Sequence, residues 1–172
     1  MKEIERKFLV DLKLLKEDTE IDPARPLENV GRGSPCKQGY ILSDFHKSLR
    51  VRIMRGEAFL TVKAHGAGIT RDEFEYQIPI EDAEYMLDNL CEGHTIFKIR
   101  YDIHRNGDTW ELDVFHSENE GLVVAEIELE TPDQDVVLPA WVVKEVTANT
   151  RYLNVSLSKN PYTKWVDNND QP

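Results

Sequence analysis

Residues 48–64 read SLRVRIMRGEAFLTVKA. Polar and apolar residues alternate on both sides of an Arg-Gly-Glu turn, and a period of two predicts two β-strands, 48–54 and 58–64. Arg50 and Arg52 share one face of the first strand, while its apolar residues take the other. The stretch therefore predicts an antiparallel hairpin with one charged and one apolar face.

The same alternation extends over most of the chain and predicts a mainly β protein with a few helices. Eight strands are expected, at 2–9, 38–43, 48–54, 58–64, 72–80, 95–103, 109–115 and 122–130. Helical spacing predicts helices at 11–16, 81–91 and 139–159, the last as two helices with a break near 147–150. A Pro- and Gly-rich connection at 17–37 is unusually long, which is typical of functional loops.

The length and the net charge of the chain limit the classes of function that it can have. The chain has 172 residues, which suits one domain, expected at 1–165 with a flexible tail at 166–172. It carries 21 Lys and Arg residues against 32 Asp and Glu residues, a net charge of −11. This balance excludes a basic nucleic-acid surface and argues against an anionic membrane surface. No secretory signal and no apolar run of about 20 residues is present, and two widely separated cysteines favour a reducing cytoplasm.

Charged residues on the predicted strands come in pairs of one sign, two positions apart. Such pairs share a face of the strand, about 6.6 Å apart, and like charges there repel. Their repetition indicates a ligand that neutralises them. The acidic pairs are Glu3 and Glu5, Glu73 and Glu75, Glu111 and Asp113, and Glu126 and Glu128; the basic pairs are Arg50 and Arg52, and Lys98 and Arg100, with Lys7 and Lys63 as single cations.

The two signs suggest complementary chemistry. Clustered carboxylates bind hard cations such as Mg²⁺ or Mn²⁺, and clustered Arg and Lys bind phosphate. A face that carries both suits metal-assisted phosphoryl chemistry. Periodicity leaves open whether this face is exposed to water, as in many antiparallel sheets, or lines the lumen of an eight-stranded barrel.

A series of motifs resembles the CYTH superfamily, the triphosphate tunnel metalloenzymes, beginning with E-x-E-x-K at Glu3, Glu5 and Lys7. The others follow in the family's order: QGYILS at 38–43, LRVRI at 49–53, LTVK at 60–63, RDEFEYQIP at 71–79, KIRY at 98–101, WELDVF at 110–115, GLVVAEIELE at 121–130 and EVTANTRYLN at 145–154. The chain is most similar to the short bacterial members, several of which hydrolyse inorganic triphosphate. The resemblance implies an eight-stranded antiparallel β-barrel around a charged tunnel, with peripheral helices and a C-terminal plug helix.

The resemblance also implies roles for single residues. Lys7 and Glu5 are expected to be catalytic, with Lys7 near the attacked phosphate and its water. The expected substrate ligands are Arg50, Arg52, Lys63, Lys98, Arg100 and, on the plug, Arg151. The expected ligands of Mg²⁺ or Mn²⁺ are Glu3, Glu5, Glu126, Glu128 and Asp113. Supporting tunnel acids are expected at Glu73, Glu75 and Glu111.

The expected function is metal-dependent hydrolysis of inorganic triphosphate to pyrophosphate and phosphate, by a cytoplasmic enzyme that could form homodimers. Three alternatives stay open: the same tunnel acting on an organic triphosphate, as an adenylate cyclase or thiamine triphosphatase; a non-catalytic module that binds polyphosphate or a nucleotide; and an unrelated β-sandwich with its charges in water. Because acids outnumber cations on the expected tunnel face, a polyanion is expected to enter together with divalent metal.

Overall fold

The residues that the structure describes form nine strands and three α-helices. A computed structural model describes residues 2–25, 33–44, 47–64 and 70–165, and at residues 2, 3, 70 and 71 it describes the backbone only. The predicted tail, 166–172, lies outside these residues. The strands are β1 Lys2–Val10, β2 Ser34–Ser43, β3 Lys47–Met54, β4 Glu57–Ala64, β5 Thr70–Ile78, β6 Glu92–Arg105, β7 Asp108–His116, β8 Val123–Glu128 and β9 Val142–Glu145. The helices are α1 Leu12–Thr19, α2 Ile80–Asn89 and α3 Asn154–Lys159.

The strands form one antiparallel sheet in the order β5-β4-β3-β2-β6-β7-β8-β1-β9. The sheet curls back on itself, because β5 also pairs with β1 over three residue pairs that end at Ile4 and Thr70. Beyond Ile4 the same edge of β1 is taken by β9, which pairs from Phe8 to Val10. The described residues thus form a barrel-like tunnel, in which β1 and β5 pair along part of the seam between them.

The apolar faces of the strands lie outside the tunnel, and helices cover part of them. A large cluster covers the outer faces of β1, β6, β7 and β8 and includes Leu15 of α1 together with Trp110 and Trp141. A smaller cluster forms under α2, where Ala83 and Leu87 pack against β3 and β4. This arrangement confirms the expected fold class, since the charged faces are left to line the interior.

One end of the tunnel is filled by apolar side chains. Leu9 follows Lys7 by two positions on β1, and Val124 and Phe115 continue the inward faces of β8 and β7 in the same way. These side chains form a buried cluster with Tyr152, Leu157 and other residues of the C-terminal segment. The C-terminal segment therefore plugs this end, and the charged part of the tunnel opens toward the other end.

The helix predicted at 139–159 is wrong over most of its length. Val142–Glu145 is the strand β9, a 3₁₀ turn follows at Thr150–Tyr152, and only Asn154–Lys159 is α-helical. The free edge of β1 explains the difference, because its backbone groups need a partner, and a pairing edge overrides local helix propensity.

The other two helices agree with the prediction. In α1 the Asp11 side chain accepts hydrogen bonds from the backbone N–H groups of Lys13 and Leu14, an N-cap that starts the helix. The long connection is shorter than predicted, since α1 extends to Thr19 and β2 begins at Ser34. Among the described residues, no helix is long and apolar enough to cross a membrane.

Candidate active site

The inward faces of β1 to β8 surround one cavity of about 670 Å³. Twelve of the predicted site residues line it: Glu5, Lys7, Arg50, Arg52, Lys63, Glu73, Glu75, Lys98, Arg100, Glu111, Glu126 and Glu128. The charged faces therefore point inward, which excludes the β-sandwich with its charges in water.

Lys7 and Glu126 form a buried ion pair at the inner end of this cavity. Lys7 Nζ lies 2.7 Å from Glu126 Oε1 and 3.5 Å from the carbonyl oxygen of Tyr152. Burial alone would lower the pKa of Lys7, but the carboxylates of Glu126 and Glu5 outweigh it and raise the pKa above its ordinary value. Lys7 is therefore an ammonium ion at neutral pH, a hydrogen-bond donor rather than a base.

Glu126 is held in its charged form by the cations around it. Burial alone would raise its pKa, but Lys7, Arg100 and Lys98 hold the pKa well below the usual range. Arg100 Nη2 donates to Glu126 Oε2 at 2.8 Å. Both oxygens of this carboxylate thus already accept from a cation.

Asp113 lies behind the cavity wall, beneath two cations. It is fully buried, at 0 % exposure, and it does not line the cavity. Arg100 donates to both of its oxygens, through Nε and Nη2, each at 2.7 Å, and Lys98 Nζ also contacts Oδ2. Arg100 contacts Glu111 as well, and burial raises the pKa of that carboxyl. The two hydrogen bonds to Asp113 hold the Arg100 guanidinium in one orientation.

On the opposite wall, formed by β3, β4 and β5, the contacts between oppositely charged side chains are longer. Glu75 accepts from Arg50 at 3.2 Å, from Arg52 at 3.1 Å and from the hydroxyl of Thr61 at 2.8 Å. Lys63 Nζ lies 3.0 Å from Glu73. In the described part of the chain, the buried Nε atoms of Arg50 and Arg52 have no hydrogen-bond partner. Buried donors without an acceptor are rare, and an anion in the cavity is one way to satisfy them.

Uncharged residues of the lining were missed by the sequence analysis. Gln38 and Tyr40 face the cavity from β2, and Gln38 Nε2 lies 3.3 Å from Tyr40 Oη. Burial raises the pKa of Tyr40 to about 12. Ser48 and Asn154 also line the cavity, the latter from the start of α3. The available signal was position, since Gln38 and Tyr40 share a face of one predicted strand, but only charged residues were followed.

Besides Asp113, two predicted site residues are not placed in the cavity by the described atoms. Arg151 lies on the plug, and its guanidinium carbon is 4.0 Å from the centre of the Trp165 ring, a cation–π contact. Glu3 pairs with Arg71 through the backbone of β1 and β5, and its side chain lies outside the described atoms.

The acids fit a hard divalent cation by their chemistry. Glu5 and Glu128 are direct partners across the β1–β8 ladder, and both line the cavity with Glu126. Carboxylate oxygens on neighbouring strands are the donors that Mg²⁺ and Mn²⁺ prefer. Within the described side chains, which exclude that of Glu3, no three His, Cys, Asp or Glu groups already stand close enough to hold a metal ion.

These features define a class of protein: a β-tunnel with a lumen of paired cations and carboxylates, plugged at one end. Residues 1–162 match the CYTH domain, and the chain belongs to the CYTH family.

Two curated relatives cover almost the whole chain, and both are named inorganic triphosphatase. The relative from Acetivibrio thermocellus is 45 % identical over 168 residues, which are 96 % of this chain and 99 % of the relative. The relative from Nitrosomonas europaea is 36 % identical over 162 residues, 92 % of this chain and 97 % of the relative. The solved crystal structure of an inorganic triphosphatase matches with a TM-score of 0.60 at 33 % identity, over 90 % of this chain and 96 % of that chain.

Proposed function

We propose that this protein hydrolyses inorganic triphosphate to pyrophosphate and phosphate with Mg²⁺ or Mn²⁺. The observation that carries the proposal is the cavity itself, in which six cationic side chains face the carboxylates of Glu5, Glu126 and Glu128. The names of the two relatives, at 45 % and 36 % identity, support the same activity.

The substrate is bound by Arg50, Arg52, Lys63, Lys98 and Arg100, which donate to the phosphate oxygens along the cavity. Asp113 orients two of these cations, Arg100 and Lys98, through both of its oxygens. A metal-binding role is also predicted for Asp113, but its position behind the wall, outside the cavity that Glu126 lines, favours the orienting role. Glu111 supports Arg100 in the same way, and Glu73 and Glu75 support the cations of β3 and β4.

The divalent cation would be held by Glu5, Glu126 and Glu128, and Glu3, two positions before Glu5 in the sequence, would be a further ligand. When bound, such a cation neutralises negative charge on the terminal phosphate.

Lys7 directs the reaction at the terminal phosphate. Its ammonium group donates to a phosphate oxygen or to the attacking water, and it stays protonated because of its raised pKa. The water oxygen bonds to the terminal phosphorus as the bond to the bridging oxygen breaks. Pyrophosphate leaves, and the proton that the water loses passes to a phosphate oxygen. The chain contributes positioning and fixed charge rather than a covalent intermediate.

A substrate panel tests this proposal. Phosphate release is measured from inorganic triphosphate, ATP and thiamine triphosphate, each with Mg²⁺, with Mn²⁺ and with a chelator, and the products are identified. Inorganic triphosphate is expected to be cleaved fastest, and only with metal. Faster turnover of ATP or thiamine triphosphate would replace the proposed substrate, and tight binding of triphosphate without phosphate release would make the protein a binding module.

We also propose a cytoplasmic location and a homodimer. Cys36 and Cys91 are free thiols, which suits a reducing compartment. Val62, Phe74 and Tyr76 are exposed apolar side chains on β4 and β5, which suits a partner surface. Light scattering after size-exclusion chromatography tests the dimer, and a monomer at micromolar concentration would contradict it.

A further inference from the structure

Lys7 lies beside the seam between β1 and β5. Among the described residues, the pairing of β1 with β5 ends at Ile4, and that with β9 begins at Phe8. Between them, the backbone N–H of Lys7 donates to Thr147 Oγ1 at 3.0 Å, and the N–H of Val146 donates to the carbonyl oxygen of Lys7 at 2.8 Å. One side-chain hydroxyl and one backbone N–H thus take the place of a neighbouring strand at the residue whose ammonium group enters the cavity.

The hydroxyl of Thr147 is itself held in place. It donates to Glu145 Oε1 at 2.8 Å, a shorter contact than the 3.4 Å to the carbonyl oxygen of Lys7. Arg6 donates two hydrogen bonds to the same carboxylate, at 3.0 and 2.7 Å. Because Arg6 precedes Lys7 on β1, the contacts close into a ring, which we call the seam clasp: Arg6, Glu145, Thr147 and the backbone of Lys7.

The charges of the seam clasp keep it in this arrangement. Hydrogen bonds from Arg6 hold the pKa of Glu145 below its usual value, with a smaller effect in the same direction from Thr147. The carboxylate therefore stays an acceptor at neutral pH, which leaves the lone pairs of the Thr147 oxygen for the Lys7 N–H.

The depth of the Lys7 ammonium in the cavity depends on the path of β1. On its other edge β1 is fixed by β8, where Lys7 pairs with Glu126. Without the seam clasp, the bond from the Val146 N–H would be the one contact left on this edge of Lys7 among the described residues, and the strand could shift in the wall. A displacement of about 1 Å at a catalytic group can cost about a hundredfold in rate.

We propose that Thr147 is a positioning residue for Lys7, acting with Glu145 and Arg6 from outside the lumen. None of the three is among the residues that line the described cavity. The kinetic part of this inference rests on the proposed function, in which Lys7 directs the reaction at the terminal phosphate.

Kinetics of three variants test the proposal. Thr147→Val replaces the hydroxyl by a methyl group of similar size and is expected to lower kcat for inorganic triphosphate at least about tenfold with little change in KM. Thr147→Ser, which retains the hydroxyl, should restore kcat to within about threefold of the wild type. Thr163→Val is the matched control, because it removes a hydroxyl that donates to the Glu118 carbonyl at 2.7 Å on an exposed turn, and wild-type kcat is expected.

The same kinetics can overturn the proposal. Wild-type kcat in Thr147→Val, an effect on KM alone, or a Thr147→Ser variant as slow as Thr147→Val would each do so. A loss of kcat in Thr163→Val as large as that in Thr147→Val would also do so, since general loosening would then explain both.

Hydrogen exchange separates this proposal from the proposed function. The exchange rate of the Lys7 amide in the full chain is expected to rise at least about tenfold in Thr147→Val and to stay unchanged in Thr163→Val. An unchanged Lys7 amide in Thr147→Val would overturn the seam clasp whatever the protein hydrolyses. If the wild-type protein releases no phosphate from triphosphate, the proposed function fails, and this exchange rate still decides whether Thr147 anchors Lys7.

Discussion

The two walls of the tunnel carry similar charges but hold them differently. On β6, β7, β8 and β1, Lys98 and Asp113 are 2 % and 0 % exposed, and the wall is backed by the large outer core around Trp110. On β3, β4 and β5, Arg50 and Arg52 share Glu75, and the outward Phe74 and Tyr76 are 53 % and 59 % exposed. The first wall is therefore rigid before substrate binds. The second wall is adjustable, because its cations can move to fit the substrate.

The largest expected effect is a loss of stability that differs between substitutions on the two walls. Asp113→Ala would leave Arg100 and Lys98 buried without their shared counter-charge, and we expect a loss of about 3–5 kcal/mol in the free energy of unfolding. The matched change on the other wall, Glu75→Ala, removes a more exposed carboxylate and should cost less than about 1 kcal/mol. Urea denaturation measures both. Equal losses in the two variants would refute the contrast between the walls.

A catalytic effect is expected next, on the rigid wall. Glu5→Gln retains the shape of the side chain but would weaken the divalent-cation site proposed for Glu5, and we expect Mg²⁺-dependent kcat to fall at least about a hundredfold. Glu17→Gln, on the surface of α1, serves as the control and should leave kcat unchanged. Full Mg²⁺-dependent activity in Glu5→Gln would show that the metal assignment is wrong.

The adjustable wall is expected to affect binding more than turnover. In the proposed function Arg52 contacts the substrate before and during the reaction, so Arg52→Ala should raise KM about tenfold with a smaller change in kcat. Steady-state kinetics with inorganic triphosphate measure both constants. If both stay at their wild-type values, Arg52 has no role in binding phosphate.

The smallest expected effect concerns the Lys7–Glu126 pair, whose contribution to the free energy of unfolding should not change with pH near neutrality. The pKa of Glu126 is depressed in the fold, so its contribution to stability is present above its ordinary value of 4.5 and is lost as pH falls below it. The pKa of Lys7 is raised above 10.5, so its contribution is complete below that value and is lost only at higher pH. The difference in unfolding free energy between the wild type and a Lys7→Met/Glu126→Gln variant should therefore stay constant from about pH 6 to 9.

Urea denaturation at several pH values measures this difference. It should shrink as the pH is lowered toward 3, because Glu126 then takes up a proton in the unfolded chain more readily than in the fold. A steady change between pH 6 and 9 would mean that one member of the pair titrates there.

Much of the site could be predicted from the sequence because strand geometry is local. A period of two places Arg50 and Arg52, or Glu126 and Glu128, on one face in any β-sheet. Twelve predicted residues consequently meet in one cavity. The same rule places Leu9 on the inward face of β1 with Lys7. The sequence pattern gave no reason for an apolar residue at that position, because the reason is the C-terminal segment that packs on it.

Other features depend on partners distant in the chain. Residues 142–145 become a strand because the edge of β1 lacks a partner there, and local propensity cannot report such an edge. Asp113 and Glu111 look equivalent on their strand, yet only Glu111 lines the cavity, while Arg100 and Lys98 cover Asp113.

The sequence by itself determined which residues share a face of each strand, because side-chain alternation follows from backbone geometry alone. Only the tertiary structure decided which way those faces point. The return of β5 to β1 turns the sheet into a tunnel, so the charges face one another across a lumen and the apolar faces are covered by helices. The tertiary structure also decided that Lys7 is anchored by Thr147, since that contact joins residues 140 positions apart.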